Sequence, residues 1–175
     1  GYVSALQHMV DLQEKGYFSP NVLSVDYYQV REQFCAGMGC MILDATSQFS
    51  LYESDAIMEW DFFKMPSIPG AAGSNDYVTG GAEAYCISAN TAHPDEAVAF
   101  LKFLTGKEQA YKQTQEAGLP NAIIGGIDEG NGSAKLVQAM ELLEEYKGIA
   151  AWLDTDVEAK VADAFMAGVS EALGG

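Results

Sequence analysis

Two histidines, His8 and His93, stand among 25 acidic residues and three cysteines, and that inventory limits the chemistry open to the chain. Nucleophilic catalysis needs an activated Ser, Cys or Thr with a base held by a third group, and no GxSxG elbow is present to offer one. His93 directly precedes Pro94 and reads as a helix cap or a solvent residue, and His8 sits on a surface-type helical pattern. Neither GxGxxG nor a Walker sequence occurs, and "GGIDEGNG", residues 125–132, carries acids where a bound anion would sit. "DTD", residues 154–156, lacks the ordered oxygen spacing of a calcium loop, and Cys35 and Cys40 lack the CxxC spacing and histidine neighbours of a zinc site. The sequence therefore presents no catalytic set, no metal site and no cofactor motif. Paired carboxylates of the glycosidase kind stay open, because so many acids make many pairs.

A different chemistry is present in three places. Asp44 and Phe49 in "DATSQFSLY", Glu83 with Tyr85, and Trp152 with Asp154 each combine a flat ring with a hydrogen-bonding group. Sugars have apolar C–H faces and rims of hydroxyls. A site for them stacks rings on the faces and aims carboxylates or amides at the rims. Phe49, Tyr85 and Trp152 are candidate stacking rings, and Asp44, Glu83 and Asp154 candidate hydroxyl acceptors. The competing reading of each ring is a place in the core.

At 175 residues with 49% hydrophobic content the chain can bury a core. No run of about 18 uncharged apolar residues exists to span a membrane, and no signal-peptide pattern opens the chain. The formal net charge is −16, with Lys and Arg scattered singly. Nucleic acid and anionic membrane surfaces are poor partners for that distribution. Cys35, Cys40 and Cys86 lie in apolar stretches; an odd count argues against a complete disulfide framework and favours buried thiols.

These residues must be positioned by helices and strands. Residues 4–15 place Ala5, Leu6, Met9, Val10 and Leu12 mostly on one face with Gly16 as a C-terminal stop, and a second helix through Tyr27, Val30, Phe34 and Cys35 ends at Gly37. The apolar run 38–44 predicts a buried strand, residues 46–54 a short helix, and residues 59–70 a strand that stops at two prolines. After the loop "GAAGSND", Gly80 and Gly81 allow a sharp crossing into a strand "AEAYCIS". Pro94, Asp95 and Glu96 open a helix with Ala97, Phe100, Leu101 and Leu104 as its apolar stripe. Helices starting at "KEQAYKQ", after Ser133 and near Asp156 follow. Strands dispersed among helices give an α/β or mixed α+β class.

The order of these segments carries more than any one of them. "VDLQEKGYF", "FCAGMGCMILD", "FFKMPSIPG", "GGAEAYCISANTAHPDEAVAFLKFLTGKEQA", "GLPNA" and "AAWLDTDVEAKVADAF" succeed one another. In that order the chain resembles the second half of an extracellular solute-binding protein of the sugar ABC-transporter type, the maltose-binding-protein-like class. The resemblance implies a two-lobed α/β fold whose C-terminal half is present, a mixed sheet flanked by helices. It places residues 1–78 and 132–175 in one lobe, with 79–131 crossing to the other. It also implies an extracytoplasmic, lipoprotein-type carrier that captures a neutral mono- or oligosaccharide and hands it to permease subunits without chemistry. A cationic solute such as a polyamine, or a carbohydrate-active enzyme, are the alternatives. Within the resemblance, Ser47 stands where a tryptophan is common, while Phe49 keeps a ring nearby. Gly80 to Glu83 match the crossing, and Trp152 and Asp154 match a late aromatic and its acid. The first lobe and the final helix of such proteins have no counterpart here. The chain alone is therefore expected to self-associate or to repack, and to bind solute weakly.

Overall fold

The computed structural model describes residues 1–70, 73–81 and 84–174. Gly1–Gln33 with Ala151–Gly175 form one compact unit and Phe34–Ala150 form another.

In the first unit, helix α1 (Tyr2–Glu14) packs on helix α8 (Ala159–Gly174). Leu6, Met9, Val10 and Gln13 recur at spacings of three and four and are partly covered, whereas Ala5 and Leu12, expected on the same face, are exposed. The ring of Tyr2 meets Phe165 edge-on at 5.5 Å, and Gln13 Nε2 donates to Leu173 O at 2.7 Å. Gly16, at φ 74, ends α1 in a left-handed conformation that costs a side-chain-bearing residue about 1–2 kcal/mol. Helix α2 (Tyr27–Cys35), whose last two residues and the following Gly37 at φ 71 belong to the second unit, has Arg31 over the Tyr27 ring at 3.5 Å. The short helix α7 (Leu153–Asp156) leads into α8, so the last helical region is two helices rather than one.

In the second unit, a 3-10 turn at Thr46–Gln48 runs into α3 (Phe49–Asp55). Helices α4 (Pro94–Leu104), α5 (Lys107–Ala117) and α6 (Ala134–Glu144) follow. The sheet described is small: β1 (Tyr77–Thr79) pairs in parallel with β2 (Gly148–Ala150), Tyr77 opposite Gly148 and Thr79 opposite Ala150. An aromatic cluster forms one part of the core, with Phe34 on Tyr52 at 5.3 Å and Phe49 on both Trp60 and Phe62 at 5.1 Å. Leu136 and Ala139 on α6, with Ala110 and Thr114 on α5, are buried elsewhere in the unit.

Several expectations for this unit are corrected. Residues 38–44, 59–70 and 84–88 run without forming a ladder among the described residues, although their composition suits strands. Met41, Leu43, Phe63 and Met65 are exposed as a result, because a strand buries its side chains only when a second layer covers them. Cys40 and Cys86 lie in these segments and are exposed; Cys35 alone of the three is buried. Burial, with Asp55 nearby, pushes the Cys35 thiol up from its ordinary pKa. Phe100 faces outward, so the covered side of α4 is carried by Ala97, Leu101 and Leu104. No described helix is long and apolar enough to cross a membrane.

The two strands are clamped at one end. Lys147 N donates to Asp76 O at 2.7 Å, and the Lys147 ammonium contacts Asp76 Oδ2 at 2.5 Å. The hydrogen bond from Lys147, helped by Ser74, holds the Asp76 carboxyl below the usual aspartate range. A folded pKa lower than the unfolded one gives stabilisation that is present above the ordinary aspartate pKa and is lost as pH falls through the folded value. A carboxyl-detected NMR titration should find Asp76 titrating below a free aspartate, and Lys147→Met should raise it toward the ordinary range, with the Ser74 contribution left in place. An unchanged Asp76 midpoint in that variant would show that the ammonium is not its cause.

Candidate functional site

Asp44 closes the apolar run 38–44 just before the 3-10 turn. Its Oδ1 accepts from Ala45 N at 2.8 Å and its Oδ2 from Tyr52 Oη at 2.5 Å. Tyr52 is buried on α3, with its ring against Phe34 and Trp60. The aromatic cluster thus fixes the hydroxyl that orients the Asp44 carboxylate. The carboxylate is half-buried, held and pre-oriented, a state that lowers the entropy lost when it accepts from a ligand hydroxyl.

Phe49 opens α3 and is 7% exposed. Trp60 and Phe62 pack on it, so its ring has the environment of a core residue and backs the cluster from within. Phe34, Trp60 and Phe62 are the rings of that cluster that reach solvent, all half-buried, with the Lys135 ammonium 5.2 Å from the Trp60 centroid. In sequence the "EWDFF" stretch, residues 59–63, reads only as a strand. Its ring density was the available signal, but a sequence does not say which ring faces in.

Tyr85 is 61% exposed, in a segment without helix or strand. Its companion Glu83 lies outside the described residues. Asp44, Phe49 and Tyr85 all belong to Phe34–Ala150, whereas Trp152 and Asp154 belong to the other unit.

Trp152 occupies the N-cap position of α7 in extended conformation. Its carbonyl accepts from Thr155 N and Asp156 N, both at 3.0 Å, and from Thr155 Oγ1 at 2.9 Å. Three donors on one carbonyl fix the backbone while the indole stays 47% exposed. A rigidly mounted, half-exposed ring is what stacking on an apolar sugar face requires. Asp154 stands two residues on, exposed in the first turn of α7.

Histidine chemistry is not assembled here: His93 lies 3.9 Å from Glu96 on the exposed start of α4, with both side chains about three-quarters in solvent. Among the described residues no group of three His, Cys, Asp or Glu side chains could hold a metal ion. The arrangement can bind through rings and hydrogen-bond acceptors.

Residues 2–111 match the profile of a family described as bacterial extracellular solute-binding protein. Among solved structures, a chitin oligosaccharide binding protein shares the fold at a TM-score of 0.83 with 22% sequence identity. The match covers 98% of this chain and 44% of that protein, so the chain spans less than half the length of this relative. No curated protein matches the sequence.

Proposed function

Because the chain belongs to the bacterial extracellular solute-binding protein family, we propose that the whole protein captures a neutral mono- or oligosaccharide outside the cytoplasm and delivers it to the permease subunits of an ABC importer. It performs no chemistry on that ligand. The lobes follow the resemblance, residues 1–78 and 132–175 in one and 79–131 crossing to the other. Trp152 and Tyr85 are the stacking rings and Asp44 and Asp154 the hydroxyl acceptors, with Phe49 supporting Asp44 through the aromatic cluster and Glu83 retained as a further acceptor.

The observation that carries this reading is the exposed indole of Trp152 on a backbone pinned by three hydrogen bonds, next to the acid of α7. Such a ring suits the C–H face of a sugar and gives little to a small anion. The fold likeness to a chitin oligosaccharide binding protein supports trying N-acetylated glucose oligomers first.

Isothermal titration of the full-length protein with chito-oligosaccharides, malto-oligosaccharides and spermidine tests the reading. Heat from a sugar with no hydrolysis on prolonged incubation is the expected result. Binding of spermidine with none of any sugar would overturn the ligand class, and release of shorter sugars would overturn the absence of chemistry. Trp152→Ala in the same protein is expected to weaken sugar binding by about 1–3 kcal/mol, as loss of a buried aromatic anchor does. An unchanged affinity would remove Trp152 from the site.

A further inference from the structure

Between α5 and α6 the chain makes a buried polar knot. Asn121 Nδ2 donates to Thr114 Oγ1 at 2.8 Å and to Gly126 O at 3.0 Å, and Thr114 Oγ1 donates to Leu119 O at 2.7 Å. Asn131 is the second centre. Its Nδ2 donates to Gly126 O at 2.8 Å and to Tyr111 O at 3.3 Å, and its Oδ1 accepts from Asp128 N at 2.8 Å. Asn131 is 8% exposed, so each of these polar atoms needs its partner.

Gly132 follows it for a separate reason. A Cβ there would lie 3.0 Å from Ile127 Cγ2 and 3.2 Å from Val137 Cγ2, closer than those side chains tolerate without moving. Hydrogen bonding demands the asparagine and packing demands the glycine. Together they make the dipeptide whose amide is most open to attack by the following backbone nitrogen, because glycine has no side chain to obstruct the approach.

We propose that Asn131–Gly132 is a fold-gated deamidation site, chemically inert while the knot is closed and reactive once it opens. In the reaction the Gly132 nitrogen bonds to Asn131 Cγ, the Cγ–Nδ2 bond breaks, and ammonia leaves with the proton lost by the Gly132 nitrogen. Water then opens the succinimide at one carbonyl or the other, giving aspartate or isoaspartate; nothing is oxidised or reduced. In the closed knot the Gly132 N–H donates to Asp128 O at 2.9 Å, and the Asn131 amide is held at both ends. Neither the nucleophile nor the electrophile can rotate into line.

The product does not fit back. An aspartate at 131 would aim an anionic oxygen at the Gly126 and Tyr111 carbonyls that Nδ2 now serves, leaving a buried charge without a donor. Isoaspartate adds a methylene to the main chain two residues before the Ser133 cap of α6, whose Oγ accepts from Leu136 N at 3.2 Å. Each opening that reacts is thus a permanent loss of the knot.

Peptide mapping for isoaspartate at 131, with the mass gain of an amide becoming an acid, reads the reaction directly. Incubated at mildly alkaline pH, the folded chain should deamidate roughly 100-fold more slowly than the same chain in urea, equivalent to an opening free energy of about 3 kcal/mol. Thr114→Val removes two of the knot's hydrogen bonds and leaves Asn131 in place. Its folded form should deamidate about tenfold faster than the wild type, the effect of losing roughly 1.4 kcal/mol of hydrogen bonding. Equal rates in folded and urea-unfolded wild type would overturn the gating. A Thr114→Val rate equal to wild type would overturn the knot as the gate.

Discussion

Leu136→Ala is expected to destabilise Phe34–Ala150 by about 2–5 kcal/mol, the range for deleting a large aliphatic side chain from a packed interior. Leu136 is 1% exposed, on α6, three residues after the Ser133 cap that starts the helix. Truncation leaves the cap intact and removes only packing, so the effect is a cavity effect. The chain has two tryptophans, one in each unit. In a Trp152→Phe background the fluorescence of Trp60 therefore reports this unit alone. Urea unfolding read at Trp60 should show the midpoint falling with little change in slope. A midpoint equal to that of the background would place Leu136 outside the cooperative core.

Gly118→Ala should have an effect of similar size for two separable reasons. Gly118 ends α5 at φ 64, where a side chain costs about 1–2 kcal/mol. A Cβ at that position would also lie 2.7 Å from Ser50 Cβ on α3, and overpacking of that kind costs roughly 1–3 kcal/mol more. Ser50→Gly removes the obstruction without changing the backbone requirement. A double-mutant cycle on the two substitutions should give a favourable coupling equal to the overpacking part and leave the conformational part in place. Additive effects would show that α3 and the end of α5 move apart freely.

The helices were legible because their signals are local. Gly16 and Gly37 take positive φ where they end their helices, Pro94 sits in the first turn of α4, and Ser133 caps α6. Each of these depends on a few neighbouring residues. The sheet was not legible for the opposite reason. Residues 38–44 have strand composition yet no described ladder, while "YVT" and "GIA" pair although neither is a conspicuous apolar run. Pairing depends on what lies opposite, which periodicity along one segment does not contain. The three cysteines show the same limit: identical apolar surroundings in sequence gave one buried thiol and two exposed ones. At the candidate site the residue types of Asp44, Phe49 and Trp152 were legible. Orientation was not, because burial of Phe49 by Trp60 and Phe62 arises from segments separated by a helix.

The clamp between Asp76 and Lys147 joins residues 71 apart in the chain. Closing a loop of that length costs about 4 kcal/mol of chain entropy beyond the constant term. The return is three residues of parallel pairing and an exposed ion pair, whereas α4, α5 and the Asn121 and Asn131 knot gain their contacts across short separations. Ordering the helices and the knot first would shorten the path between the strand ends, so that β1 and β2 meet across an ordered crossover rather than a free coil. On that account the two strands are expected to be the seam that closes last, with the β1 and β2 amides exchanging with solvent before those of α5 and α6.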